Sequence, residues 1–261
     1  MNNDAVLHEK KNHITYITLN RPESHNSMNV DTLDQLSATL LGCKRDDDCR
    51  AIIVTGAGDK FSAGADLSVF IEVMPTILGV REWSRYGQEV FSLFDGLGKP
   101  SIAAVNGLAL GGGFELALAC TFRIASQNAR FGFSEMTLGF IPGWGGISRI
   151  ARLAGTAKAA DLLLTGRRID AQEALEAGVV NDVVPPGALL STSETLAGKI
   201  IRNSPVAVRL AMEALHCAGD LTFDEALKTE SNLAGLVCHS EDAKEGLTAY
   251  IEKRDAQFLG K

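Results

Sequence analysis

Aromatic residues make up only 6% of this 261-residue chain, and its five cysteines and five histidines are not spaced for disulfide or metal chemistry. Cys43, Cys49, Cys120, Cys217 and Cys238 include no C-x-x-C pair, and an odd number suits a reducing compartment better than a disulfide framework. His8, His13, His25, His216 and His239 include no H-x-x-x-H spacing, so no metal site is expected. No apolar run reaches the roughly 18 residues of a membrane span. The nearest, Ile102 to Phe122, is broken by Asn106, Glu115, Thr121 and three consecutive glycines. Met1 to Lys11 is polar and lacks the apolar segment of a secretion signal, and no N-x-[ST] sequon occurs. A cytoplasmic location is expected.

Positive charge is also scarce. Lys and Arg number 25 against 32 Asp and Glu, a net charge of −7 with a pI near 5.3, so nucleic acid is not an expected partner. Missing motifs narrow the chemistry further. The chain has no G-x-x-x-x-G-K-[ST] phosphate loop, no G-x-G-x-x-G followed by an acidic residue, and no G-x-S-x-G elbow. Nucleotide-dependent redox chemistry and serine hydrolysis are therefore disfavoured.

What is present is an ordinary globular balance, 46% hydrophobic and 22% charged, which excludes disordered, collagen-like and coiled-coil classes. Ile14 to Leu19, Ala51 to Thr55, Ser101 to Val105 and Arg123 to Ala125 are rich in Ile, Val and Thr and are read as strands. Val30, Leu33, Leu36, Leu40 and Leu41 recur at helical spacing behind Asn29, a good N-cap. Beyond about Gly155, the only plausible internal boundary, the chain reads almost wholly helical. Helices are expected from Pro205, over Thr222 to Val237, and over Glu241 to Phe258. The class is α/β with a helical tail, and no repeat of about 20 to 50 residues is apparent.

Three segments carry chemistry. In Ser101 to Cys120 an apolar strand runs into Gly111-Gly-Gly-Phe-Glu115, placing free amides and a carboxylate at a helix start. Such amides can hold a developing oxyanion, although the glycines could equally serve close helix packing with Glu115 answering the helix dipole. Glu115 has only apolar neighbours on its helix, so it is expected to be buried and either paired or chemically employed. The loop Lys60-Phe-Ser-Ala-Gly64-Ala65-Asp66-Leu67 offers a second set of amides, unless Asp66 is simply an N-cap. Phe131 to Gly146 supplies a second carboxylate, Glu135, in a glycine-rich apolar setting, where it could also be a solvated loop residue.

Taken together and in order, Leu19-Asn-Arg-Pro-Glu-Ser-His-Asn26, Ala63-Gly-Ala-Asp66, Ala103-Ala-Val-Asn-Gly107, Gly111-Gly-Gly-Phe-Glu115, Leu138-Gly-Phe-Ile-Pro-Gly-Trp-Gly-Gly146 and Lys244 to Arg254 resemble the crotonase family, the enoyl-CoA hydratase/isomerase superfamily. The likeness runs from Ile14 to Phe258. It implies a ClpP/crotonase-like spiral of repeated ββα units and a C-terminal helical trimerisation region. The chain would then be a single domain over 1–261, with 1–195 the spiral core and 196–261 the assembly region. The implied oligomer is a homotrimer or a dimer of trimers.

The resemblance also implies roles. The amides of Ala65 and Gly112 would hold a thioester oxygen, while Glu115 and Glu135 would flank one water. Ala63, Gly64, Asp66, Leu67 and Gly111 would cradle a coenzyme A thioester, and Gly143 would support Glu135 and the water. Tyr250 and Lys253 would reach the nucleotide of a neighbouring subunit's ligand. The implied activity is enoyl-CoA hydration in β-oxidation-type fatty acid metabolism, with an acyl-CoA substrate and no metal or organic cofactor. The alternatives are a Δ3-Δ2 enoyl-CoA isomerase, another crotonase-type lyase, or a non-catalytic acyl-CoA-binding scaffold. Ser134, Phe114, Phe140, Trp144 and Thr121 depart from the common hydratase pattern. The three aromatic residues are read either as core or as acyl-pocket wall, and Ile71 to Arg81 gives no pattern.

Overall fold

The structure, a computed structural model, describes residues 4–261. Val6–Lys11 (β1) and Ile14–Leu19 (β2) pair as an antiparallel hairpin turned at Asn12 and His13, both at positive φ. Strand β1 has no sequence signature because only Val6 of its six residues is buried. Helix α1, Val30–Arg45, starts where expected: the Asn29 side chain accepts the Thr32 amide at 2.9 Å. Its apolar stripe of Leu33, Leu36, Leu40 and Cys43 is buried.

Three ββα units follow. The first comprises β3 (Ala51–Gly56), β4 (Lys60–Ser62) and helices α2 (Leu67–Val73) and α3 (Ile77–Ser92). The second is β5 (Ser101–Val105), β6 (Leu108–Leu110) and α4 (Gly112–Ala119), and the third is β7 (Phe122–Ser126), β8 (Arg130–Gly132) and α5 (Gly146–Thr165). In each unit the first strand joins a parallel β3-β5-β7 run and the second joins a parallel β4-β6-β8 run, so the units stack as the expected crotonase-type spiral. The large sheet separates two cores: Ile52, Val54, Ala103 and Val105 face one way, and Ile53, Ile102, Ala104 and Ile124 face the other. These strands read as continuous apolar runs because parallel strands are covered on both faces.

Past α5 the expectation of nearly pure helix needs correction. Ile169–Asp170 (β9) and Asp182–Val184 (β10), around helix α6 (Ala171–Glu176), extend the smaller and larger sheets respectively. Strands of two and three residues are too short to show a period. Gly155 marks no boundary either: with φ 78° and ψ 159° it kinks α5, which continues to Thr165. Helix α7, Leu189–Ile201, packs across β3, β5 and β7. Helices α8 (Pro205–Ala218), α9 (Phe223–Cys238) and α10 (Glu241–Glu252) complete the chain. The last was expected to reach Phe258 but ends at Glu252, because Lys253 turns left-handed at φ 54° and the following segment is drawn back onto Asp242, which accepts the amides of Leu259 and Gly260. No helix is long and apolar enough to cross a membrane among the described residues.

One buried polar residue ties the start of the spiral together. Asn26, left-handed at φ 56°, donates from Nδ2 to the carbonyls of Ala57 (2.9 Å) and Lys60 (2.8 Å), and its Oδ1 accepts the Arg21 amide (3.0 Å). Its own carbonyl accepts from Ser62 Oγ at 2.8 Å. Asn26→Ala leaves buried carbonyls without a donor and is expected to cost about 2–4 kcal/mol, read as a lower urea midpoint at unchanged slope. A midpoint equal to the parent's would remove this residue from the account of how the Ala63 loop is placed.

Candidate active site

Strand β6 ends at Leu110, and Gly111 makes the turn into α4 at φ 48° and ψ −125°, a conformation that a side chain resists. The Gly111 amide is spent on the Gly132 carbonyl at 3.0 Å, whereas the Gly112 amide has no acceptor among the described residues. Opposite lies the loop after β4. There Met28 donates to the Gly64 carbonyl and accepts the Asp66 amide, which pins the loop on either side of Ala65 and leaves the Ala65 amide free. The two turns are in close contact: a Cβ on Gly112 would lie 3.2 Å from the Ala65 nitrogen, and one on Gly64 would lie 2.8 Å from the Gly112 nitrogen. Two unspent N–H groups from separate ββα units therefore meet at one place.

Glu115 sits in the first turn of α4, a helix buried along its whole length, and is 1% exposed. Its Oε1 accepts the main-chain amides of Trp144 (2.8 Å) and Gly146 (2.7 Å). Gly146 is required by proximity, since a Cβ there would be 2.5 Å from Glu115 Cγ. Burial pushes the Glu115 pKa up to about 7. The two amides pull it down, and the negative charge of Glu135 pushes it up. Glu135 lies in the short 3-10 turn Ser134–Leu138, with its carboxylate against Gly111, where any side chain would strike it. Its Oε2 is buried and has no hydrogen-bond partner among the described residues, and burial raises its pKa. Two amides from another loop thus hold Oε1 of one acid, while Oε2 of the other has no partner.

Both carboxylates line one cavity of about 930 Å³. Ala63, Ala65, Leu67, Gly111, Gly112 and Gly143 line it too. Gly64 and Asp66 stand behind this wall: Gly64 permits the close approach to Gly112, and Asp66 caps α2 through Ser68 and pairs with Arg21 at 2.9 Å. Tyr250 and Lys253, on α10 and its cap, are outside the cavity of their own chain, Tyr250 being 84% exposed. The three bulky aromatics divide. Phe114 is core, packed on Phe131 and Phe133, whereas Phe140, against Phe70, and Trp144, edge-on to Trp83 and Phe91, are walls of the cavity.

Sequence reading missed the partners of Glu115. It expects Gly143 alone to serve a carboxylate there, Glu135, whereas the amides just beyond it, of Trp144 and Gly146, bind Glu115. It also missed Gly87 of α3, which leaves a slot for the Trp144 indole, as Gly112 does from the other side. Nothing local marks these contacts, because they join residues about two or more dozen positions apart.

The α/β spiral with its C-terminal helices is of crotonase type. The family model described as enoyl-CoA hydratase/isomerase matches residues 9–261. A short-chain-enoyl-CoA hydratase of Clostridium acetobutylicum is 45% identical over 97% of this chain and 96% of its own length. A crotonyl-CoA hydratase of Syntrophomonas wolfei is 41% identical over 99% of both. The crystal structure of an enoyl-CoA hydratase from Bacillus anthracis superposes with a TM-score of 0.94 at 40% identity, covering 98% of this chain and all of that one. The chain belongs to the enoyl-CoA hydratase/isomerase family.

The raised pKa of Glu115 has a consequence for stability. With a folded value of about 7 above the ordinary 4.5, the fold keeps its full stability from this group below pH 4.5 and loses it as the pH rises toward 7. Glu115→Gln, which removes the buried charge, is therefore expected to be more stable than the parent at pH 8 by up to about 3 kcal/mol, the gap closing toward pH 4.5. Urea unfolding at the two pH values measures it, and a gap that does not depend on pH would show that burial does not govern this group.

Proposed function

We propose that this protein hydrates a 2-enoyl-CoA thioester reversibly to the 3-hydroxyacyl-CoA. One observation carries the reading: two free amides, on Ala65 and Gly112, open on the same cavity as two buried carboxylates of unlike surroundings. The names of the Clostridium and Syntrophomonas relatives support it.

In this reading the thioester oxygen lies between the two amides, which gain strength as it becomes an enolate oxygen; each such donor is worth about 2.7–4 kcal/mol. Glu115, kept ionisable by the Trp144 and Gly146 amides, takes a proton from water as the water oxygen bonds to C3. Glu135, whose pKa burial raises, gives a proton to C2. Protons and charge balance, and only water is consumed. Lys60 and Lys253 supply local attraction for the anionic coenzyme on a chain of net charge −7. The exposed apolar residues of α8 to α10, among them Phe223 (77%), Leu236 (63%) and Ile251 (71%), support homotrimers or paired trimers in which Tyr250 and Lys253 reach a neighbour's coenzyme. The chain acts as one domain in the cytoplasm, its 196–261 helices serving assembly.

Purified protein is expected to convert crotonyl-CoA and to place solvent oxygen-18 in the product. Turnover without that label would indicate an isomerase, and no change of any enoyl-CoA would remove the proposal. Glu115→Gln and Glu135→Gln should each lower kcat by roughly 100- to 10,000-fold. Because Glu115 must be ionised to act as the base and Glu135 protonated to act as the acid, kcat/KM should be bell-shaped in pH, rising as Glu115 ionises near 7 and falling as Glu135 loses its proton.

Acyl length gives a separate expectation. The Trp144 indole fills the slot between Gly87 and Gly112, directly behind the oxyanion amide, and favours a short, unbranched acyl group. Trp144→Leu should shift the kcat/KM optimum toward longer enoyl chains across a panel of thioesters, and an unmoved optimum would place the length limit elsewhere.

A further inference from the structure

Away from the catalytic cavity, a narrower cleft of about 270 Å³ lies where the end of α1, the entries to β3 and β5, the start of α8 and the C-terminal segment converge. Its size is just under the ~300 Å³ at which pockets for drug-sized ligands begin, so it suits a small ligand. Lys44, Arg50, Lys99, Arg209 and Lys261 all line it, and Asp47 is the one acid that does. On a chain with more acids than bases this is a local reversal of charge. None of the five cations forms an ion pair among the described residues, although fifteen such pairs tie up other charges elsewhere.

The individual contacts show which charges are uncommitted. Lys99 Nζ donates to the carbonyls of Cys43 (2.5 Å) and Asp46 (2.6 Å), closing the end of α1, so it contributes charge rather than a free hand. Arg50 donates from one terminal nitrogen to the Phe258 carbonyl at 3.0 Å, while its Nε is buried and has no acceptor. Arg209 runs its aliphatic stem over Gly98, where even a Cβ would come within 2.9 Å of Cγ, so its approach to the cleft is fixed by packing. Lys44 stands in the last turn of α1, and its side chain makes no ion pair among the described residues.

We propose that this cleft binds a small phosphate-bearing anion of charge −2 or more, held between the guanidiniums of Arg50 and Arg209 with Lys44 as a further counter-charge. Planar guanidinium forks match phosphate oxygens two at a time, and the other terminal nitrogen of Arg50 and the guanidinium of Arg209 have no acceptor among the described residues. Such an anion would also join α1, α8 and the C-terminal segment, which reach the cleft from distant parts of the chain. The site is independent of the catalytic reading.

Isothermal titration of the full chain with sodium pyrophosphate tests this, with sodium chloride at matched ionic strength as the control. Saturable binding is expected for the parent. Lys44→Gln and Arg209→Gln, both at exposed side chains, should each weaken it roughly 10- to 100-fold while leaving the thermal melting curve unchanged. A parallel titration with adenosine 3′,5′-bisphosphate separates a free phosphate from the phosphate end of a nucleotide. If its binding is weakened by the same two substitutions, the cleft accepts nucleotide phosphates. Absence of saturable pyrophosphate binding, or binding that neither substitution alters, would overturn the proposal.

Discussion

The site rests on keeping one carboxyl group out of water. Glu115 lies in an eight-residue helix with no solvated face, and its Oε1 is held by two main-chain amides from a loop nearly thirty positions on. An unpaired carboxylate in that place would be expelled or permanently protonated. The Trp144 and Gly146 amides leave it able to ionise near neutrality instead. That balance requires the α5 loop to lie directly on α4, so the packing of the third ββα unit on the second and the state of the acid are set by the same contact.

Close approach of backbone to backbone is what makes this possible, and it explains why glycines concentrate at the junctions of the units. Gly112 touches the Ala65 turn, Gly146 touches Glu115, and Gly111 makes room for Glu135. Each lets two units meet within the width of a side chain. The cost in chain entropy is greatest for glycine, and it is offset by the large buried faces on either side of the main sheet.

Much of this could be read from the sequence where the signal was local. Asn29 and the Leu33, Leu36, Leu40 stripe located α1, and apolar runs located β2, β3, β5 and β7. The burial of Glu115 followed from its helical neighbours alone. The repeat of ββα units was not legible, because the second and third units begin at Ser101 and Phe122 whereas the first begins at Ala51 and carries two helices. Strands β4, β6 and β8 have three residues each, and their identity comes from stacking on one another rather than from any period. The amides that serve Glu115 were hidden for a different reason: main-chain donors leave no residue signature.

The same distinction separates the two carboxylates. Both were visible as acids in apolar, glycine-rich segments, and either could have been the base. Their difference lies in what the backbone offers each: two amides from another loop to Glu115 Oε1, and only its own amide to the Glu135 carboxylate, whose Oε2 has no partner. A donor to a carboxylate favours its charged form, and burial without donors favours the neutral one. The placement of N–H groups can therefore offset burial for one of two identical side chains. Such a division depends on the turn geometry at Gly145 and Gly146, so a change confined to that loop would alter proton transfer without touching either glutamate.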